Sequence, residues 1–130
     1  MTRNSLLVGA ILTAVASLNG PLVANGNDYA FEPLGTEVKE GEVTLAVRLV
    51  HTPTGNVVPD ATILQTRIDM EPDGMAAMDA PIAPAPSPVA GIYTFKTNLI
   101  MQGRWLLTIS AKVQGEPETI VGKIIFRANP

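Results

Sequence analysis

The chain has 130 residues, 46% of them hydrophobic, and a formal net charge of −3 at pH 7. Its nine basic residues form no basic run and aromatic residues make up only 5%, so the features that nucleic-acid binding requires are absent. No cysteine is present, which excludes both a disulfide framework and a cysteine nucleophile. A chain of this length is sufficient for one domain with a modest core.

The N-terminus has the pattern of a secretory signal. Arg3 supplies a positive charge, and an apolar run of eleven residues extends from Leu6 to Ala16. This run is shorter than the ~20 apolar residues that span a membrane. We therefore predict a signal peptide over residues 1–24 and a periplasmic mature domain over residues 25–130. An uncleaved membrane anchor is the alternative.

Alternation of apolar and polar residues predicts strands throughout the mature chain. The predicted strands are Tyr29–Pro33, Val43–Val50, Ala61–Met70, Gly91–Thr97, Arg104–Val113 and Ile120–Arg127. Glycine and proline turns separate them, and no stretch of the mature chain has helical periodicity beyond a turn or two. This pattern predicts an all-β sandwich of about six or seven antiparallel strands.

Two of these strands identify parts of the core. Trp105 is the one tryptophan, and large aromatic side chains dominate such cores, so we expect it to anchor this one. In the third predicted strand, alternation places one set of residues on the inward face. These are Thr62, Leu64, Thr66, Ile68 and Met70.

Residues 80–89 contain four prolines, at positions 81, 84, 86 and 88. Proline has no N–H to donate to a sheet ladder, so this run cannot form a central strand. We predict an extended, polyproline-like connection over the surface. The chain on either side is too short for two independent cores, so the connection lies within a single domain.

The methionines are grouped. Three of them, Met70, Met75 and Met78, lie within residues 69–78, and Met101 precedes a later strand in a similar way. Thioether sulfur is a soft ligand that selects Cu(I), but methionine is also a flexible apolar filler. The residues alone leave both interpretations open. Met70 is in phase with the core face of its strand, which favours the filler role for that residue.

A copper site would be built around Met75 and Met78, with Met70 or Met101 as the third sulfur, because three soft neutral donors suit Cu(I). His51, the only histidine, ends a predicted strand. It is a further candidate ligand, although a histidine at a strand end is usually a surface or capping residue.

The acidic residues near the methionines do not form a recognisable calcium loop. Asp69, Glu71, Asp73 and Asp79 crowd the same turn, but their spacing differs from that of Ca²⁺-binding loops. We expect a solvated acidic turn.

An enzyme is not expected. Ser87 and Ser110 are the only serines after the signal peptide, His51 is the only imidazole, and no glycine-rich phosphate loop is present. This set offers no nucleophile with a positioned base.

The order of several short motifs resembles a known family. It begins with Leu45–Leu49, Thr54-Gly55 and Val58–Ala61, passes through the methionine-bearing turn, and ends with Gly91-Ile92-Tyr93 and Met101–Leu107. Over roughly residues 32–128, this order resembles the YtkA-like and FixH-like domains of exported bacterial proteins. FixH-like proteins usually carry an N-terminal membrane helix, and this chain departs from that pattern.

The resemblance implies an immunoglobulin-like β-sandwich in the periplasm or on the outer side of the membrane. It also implies copper handling, through cytochrome oxidase assembly or metal efflux, and no enzymatic activity. We therefore expect a protein that binds or relays copper as Cu(I), with membrane efflux or oxidase-assembly proteins as partners. The alternative is an interaction module without metal, which docks a membrane complex through its proline run and acidic face.

Overall fold

The computed structural model describes residues 28–130, so the predicted signal peptide and the alternative anchor lie outside the described residues. The described part is built from ten strands. In chain order they are β1 (Tyr29–Pro33), β2 (Glu37–Lys39), β3 (Gly41–His51), β4 (Asn56–Val57), β5 (Thr62–Met70), β6 (Met75–Ala80), β7 (Ile82–Ala85), β8 (Ile92–Leu99), β9 (Gly103–Lys112) and β10 (Ile120–Asn129). A 3-10 turn at Glu71–Asp73 joins β5 to β6. Within residues 28–130, no helix is long and apolar enough to cross a membrane.

The strands form two five-stranded sheets. Sheet A has the order β1-β3-β8-β7, with β4 also paired to β3, and sheet B has the order β2-β10-β9-β5-β6. The only parallel pair described is β2 with β10. The two sheets enclose one hydrophobic core. The predicted all-β class and immunoglobulin-like sandwich are confirmed.

The predicted strand count was too low. The six predicted strands correspond to β1, β3, β5, β8, β9 and β10. The four others have two to six residues. Strands this short carry too little alternation to be recognised from sequence.

The inward face of β5 was predicted correctly only in its second half. Ile68 and Met70 are fully buried, but Leu64 is 55% exposed, and Ile63 packs against the core instead. The pairing of β5 with β9 shifts register between Ile63 and Gln65. A bulge of one residue exchanges the two faces of a strand, so Thr62 and Leu64 are not core residues as predicted.

Close packing between the sheets depends on β9 and β10. Trp105 is fully buried, as predicted, and its indole N–H donates to the carbonyl oxygen of Met101 at 3.0 Å. Gly122 of β10 lies directly under the side chain of Phe31 from sheet A, and a Cβ at this position would collide with the aromatic ring. Glycine at this inward position therefore lets the aromatic side chain of one sheet enter the other.

The proline-rich segment is more regular than the predicted connection. Ile82–Ala85 forms edge strand β7, which pairs with β8 and places Pro84 opposite Phe95. An edge strand tolerates proline because one of its sides needs no ladder donor. The prediction that this segment stays out of the middle of a sheet agrees with the structure, but Ile82–Ala85 is a paired edge strand where a polyproline-like surface connection was predicted.

Candidate functional site

The methionine-bearing turn is a hairpin at one edge of sheet B, where β6 is the last of the described strands. We call residues 69–80 the methionine hairpin; it includes the end of β5, the 3-10 turn and β6. Gly74 ends the turn with a φ of 79°, and its N–H donates to the carbonyl oxygen of Glu71. Glycine adopts this left-handed conformation without steric cost, so it directs the chain back along β5.

The ladder of the methionine hairpin is irregular. Ile68 pairs with Ala80 and Asp69 with Asp79, but the next pair is Met70 with Met75. Residues 76–78 of β6 therefore have no register partner on β5. This bulged segment contains Met78 and the two alanines, Ala76 and Ala77, that lie between Met75 and Met78, so the two methionines are not held by a regular ladder.

The four methionines lie at one end of the sandwich but differ in exposure. Met70 is fully buried and Met75 is 37% exposed, whereas Met78 and Met101 are partly buried and pack against the core. The methyl group of Met70 approaches Gly103, the first residue of β9, which lies two residues after Met101 of the β8–β9 loop. The structure thus brings together the hairpin and the loop that the sequence proposed as sources of sulfur ligands.

The structure separates His51 from the methionines. Gly41 of β3 pairs with Leu99 at one end of sheet A, next to Met101, whereas His51 ends β3 at the other end. The 11-residue length of β3 makes this separation on the order of 30 Å. Because of this distance, His51 does not share a site with Met75 and Met78. Its Nδ1 lies 2.9 Å from the hydroxyl of Thr54 in the turn that follows β3.

Arg67 holds two of the acidic residues of the hairpin. Its Nε donates to Asp69 at 2.8 Å, one terminal nitrogen donates to Asp79 at 3.1 Å, and the other donates to the carbonyl oxygen of Ala76 at 2.9 Å. Asp69 also accepts from the N–H of Glu71 at 2.9 Å. These contacts link β5 to the bulged part of β6.

Arg104, at the start of β9, holds a third acidic residue. Its backbone N–H and its Nε donate to the two carboxylate oxygens of Asp73, at 2.8 and 2.7 Å. A terminal nitrogen of Arg104 also donates to the carbonyl oxygen of Pro72 at 2.6 Å. These hydrogen bonds, with the positive charge of Arg104, lower the pKa of Asp73 below its ordinary value of 3.8.

The expectation of a solvated acidic turn therefore requires correction, because arginine side chains hold three of the four carboxylates. Neither Arg67 nor Arg104 was predicted as part of the site. A signal was available for one of them: Arg67 and Asp69 are two residues apart on a strand, so both side chains lie on the same face. Arg104 and Asp73 are 31 residues apart, and no local pattern indicates their contact.

Apart from the carboxylate of Glu71, the donor side chains of the hairpin that no arginine holds are the thioethers of Met70, Met75 and Met78. Within residues 28–130, no group of three or more histidine, cysteine, aspartate or glutamate residues is placed to hold a metal ion. Zn²⁺ and Ca²⁺ depend on such ligands. Neutral thioethers select Cu(I) instead, so the chemistry of the methionine hairpin fits that ion better than a harder one.

The sandwich fold and the methionine hairpin define a small immunoglobulin-like domain whose candidate ligands are thioethers. The model of the family described as YtkA-like matches residues 24–110, which is more than half of the chain, and the protein belongs to this family. The FixH-like part of the resemblance is not confirmed. A YtkA-like domain is typically a non-catalytic, accessory domain. The comparison with curated protein sequences gave no match.

Several solved structures resemble the sandwich. A Lin-41 filamin domain aligns with a TM-score of 0.45 and 18% identity, over 73% of this chain and 91% of that one. Domains 4 and 5 of the S-layer protein SbsC align with a TM-score of 0.45 and 18% identity, over 78% and 51% of the two chains. The ZirS C-terminal domain aligns with a TM-score of 0.43 and 10% identity, over 100% and 83%. None of these similarities carries a functional argument.

Proposed function

We propose that this YtkA-like domain is exported to the periplasm and binds or relays Cu(I) through the methionine hairpin, as an accessory to metal efflux or oxidase assembly. One observation carries the proposal. Met75 and Met78 lie on edge strand β6, one of them 37% exposed, beside carboxylates that arginines already hold. The family resemblance, which implies copper handling, supports the same function.

The exposure of the methionines fits a site that exchanges its ion. An ion held at the edge of a sheet, by one exposed and one partly buried thioether, can be reached by a partner protein. Met101 is partly buried and Met70 is fully buried, so Met101 is the more accessible candidate for a third sulfur. A site limited to two or three neutral sulfurs favours transfer of the ion over storage.

The test is a Cu(I) competition titration with a chromophoric chelator, comparing the parent domain with the double variant Met75→Leu/Met78→Leu. Leucine preserves size and apolarity, so the free energy of unfolding should change by less than about 1.5 kcal/mol. The Cu(I) affinity should nevertheless collapse. Binding by the parent should persist from pH ~7 to pH ~5, because a thioether has no proton to lose, whereas imidazole has a pKa near 6.5.

His51→Ala is the matched control. His51 lies at the end of β3 that is far from Met101 and the methionine hairpin, so its loss should leave the Cu(I) affinity unchanged. A double leucine variant that binds as tightly as the parent would assign the methionines to packing. A parent domain that does not bind Cu(I) at all would end the copper proposal.

An interaction module without metal is the second candidate function. It is favoured by β6 and β7, which are the last strands of their sheets within residues 28–130, and by Val89 and Ile100, which are 56% and 58% exposed. Free sheet edges can accept a strand from a partner. A domain that fails the copper titration would leave this function as the better one.

A further inference from the structure

The bulged part of β6 lacks the support that a regular ladder provides. Register pairs join β5 to Met75, Asp79 and Ala80, but none joins it to residues 76–78. Met78 is itself one of these residues, and the other two, Ala76 and Ala77, separate it from Met75. Backbone groups at a sheet edge are free to move when the ladder does not hold them, so the relative position of the two sulfurs depends on other contacts.

Arg67 supplies contacts at both ends of this segment. Its guanidinium donates to the carbonyl oxygen of Ala76, directly after Met75, and to the carboxylate of Asp79, directly after Met78. Its third contact is to Asp69, which is 6% exposed and fixed by the N–H of Glu71. One side chain thus connects a buried anchor on β5 to two points of β6.

We propose that Arg67 is the positioning residue of the methionine hairpin: its guanidinium sets the geometry in which Met75 and Met78 bind Cu(I). This inference rests on the proposed function. Only arginine suits the role, because its planar group donates in three directions at once, whereas the ammonium of lysine is a compact point charge on a flexible stem. Groups that orient metal ligands without touching the metal typically change metal affinity by about 10–100-fold when they are lost.

The sign of the effect distinguishes positioning from electrostatics. Removing Arg67 removes a positive charge and leaves the carboxylates of Asp69 and Asp79 uncompensated. By Coulomb attraction alone, both changes should tighten the binding of a cation. A loss of Cu(I) affinity in an Arg67 variant therefore reports geometry.

The experiment compares Arg67→Gln and Arg67→Lys with the control Arg48→Gln. Arg48 is a close match, because its side chain is 47% exposed and pairs with Glu32 at 3.0 Å, whereas that of Arg67 is 50% exposed. Arg48 lies on β3 in sheet A, away from β6. We expect Cu(I) affinity to fall by about tenfold or more in both Arg67 variants and to stay unchanged in Arg48→Gln.

Two results would overturn the proposal. An unchanged or tighter Cu(I) affinity in Arg67→Gln would assign only a charge effect to this residue. A parent-like affinity in Arg67→Lys, with a weaker one in Arg67→Gln, would show that charge suffices without the three-way contact. The lysine variant also keeps a cation beside buried Asp69, so it separates lost positioning from lost folding.

Amide hydrogen exchange of the metal-free proteins provides a readout that is independent of copper. The amides of residues 75–80 should exchange faster in both Arg67 variants than in the parent and in Arg48→Gln. Unchanged exchange in these residues would overturn the positioning role. If the parent fails to bind Cu(I) while these amides still exchange faster in the variants, the proposed function fails and Arg67 remains only a support of the hairpin backbone.

Discussion

Gly103, the first residue of β9, lies against the methionine hairpin, and little space is left around it. Its φ is 137°, and a Cβ at this position would lie 2.5 Å from both the Asp73 carboxylate oxygen and the methyl group of Met70. The residue therefore combines an unusual backbone conformation with a close contact. A side chain here would displace the carboxylate that Arg104 holds.

Gly103→Ala should destabilise the domain more than the matched control Gly115→Ala. Gly115 also has a positive φ, of 89°, but a Cβ there meets open space. Both substitutions incur a backbone cost of about 1–3 kcal/mol for a non-glycine residue at positive φ, whereas overpacking should add about 1–3 kcal/mol at Gly103 alone. Urea unfolding measures both losses. Equal losses for the two variants would mean that the hairpin moves aside without cost.

At the scale of elements, the 3-10 turn depends on an ion pair that responds to pH. Arg104 stabilises the ionised form of Asp73 through its backbone N–H and its side chain, and so lowers the pKa of that carboxyl. A lowered pKa in the folded state stabilises the fold above the unfolded pKa, near 3.8. This stabilisation is lost as the pH falls through the lower, folded value.

Asp73→Asn should therefore flatten the acid side of the stability curve. The free energy of unfolding of the parent should decrease as the pH falls below about 5. The asparagine variant should show a smaller decrease over the same range. Arg104→Gln removes the side-chain contact and leaves the backbone N–H, so its curve should lie between the two. Urea unfolding between pH 7 and pH 3 measures the effect. Parallel curves for the parent and Asp73→Asn would assign the acid sensitivity to other groups.

Long regular strands could be predicted from sequence because one face of each is buried throughout. The inward residues of β9, from Trp105 to Ala111, are fully buried, as their alternation indicates. Alternation fails where a register shift intervenes, as at Leu64 in β5. It also fails in β6, because this strand is held by its pairing with β5 and by the contacts of Arg67 instead of by one buried face.

The candidate site was predictable in part for a related reason. The grouping of methionines indicated the hairpin, and the phase of Met70 indicated its burial. The contact between Arg104 and Asp73 joins residues far apart in sequence, so it follows from the tertiary fold and from no local pattern. The distance of His51 from the hairpin likewise follows only once the direction of β3 within sheet A is known.

At the scale of the whole molecule, Tyr93 ties sheet A to the segment that crosses to sheet B. Its hydroxyl donates to the carbonyl oxygen of Val58 at 2.6 Å and accepts from the N–H of Ala61 at 3.0 Å. Burial raises the pKa of Tyr93, so the hydroxyl keeps its proton at neutral pH. This crossing lies at the end of the sandwich opposite the methionine hairpin.

Tyr93→Phe should lower the stability of the whole domain without changing its copper chemistry. The substitution removes the hydrogen-bond partner of the Val58 carbonyl oxygen and of the Ala61 N–H. Because residue Val58 is only 9% exposed, the loss should cost about 1–3 kcal/mol.

The matched control is Tyr29→Phe. The hydroxyl of Tyr29 donates to a carboxylate oxygen of Glu116 at 2.9 Å. Water can solvate that carboxylate once the hydroxyl is gone, so the control should lose less than about 1 kcal/mol. Urea unfolding compares the two losses, and the Cu(I) titration should give parent-like affinity for both variants. A Tyr93→Phe domain with full stability would show that the crossing is held by packing alone, and a change in its copper affinity would show that the two ends of the sandwich are coupled.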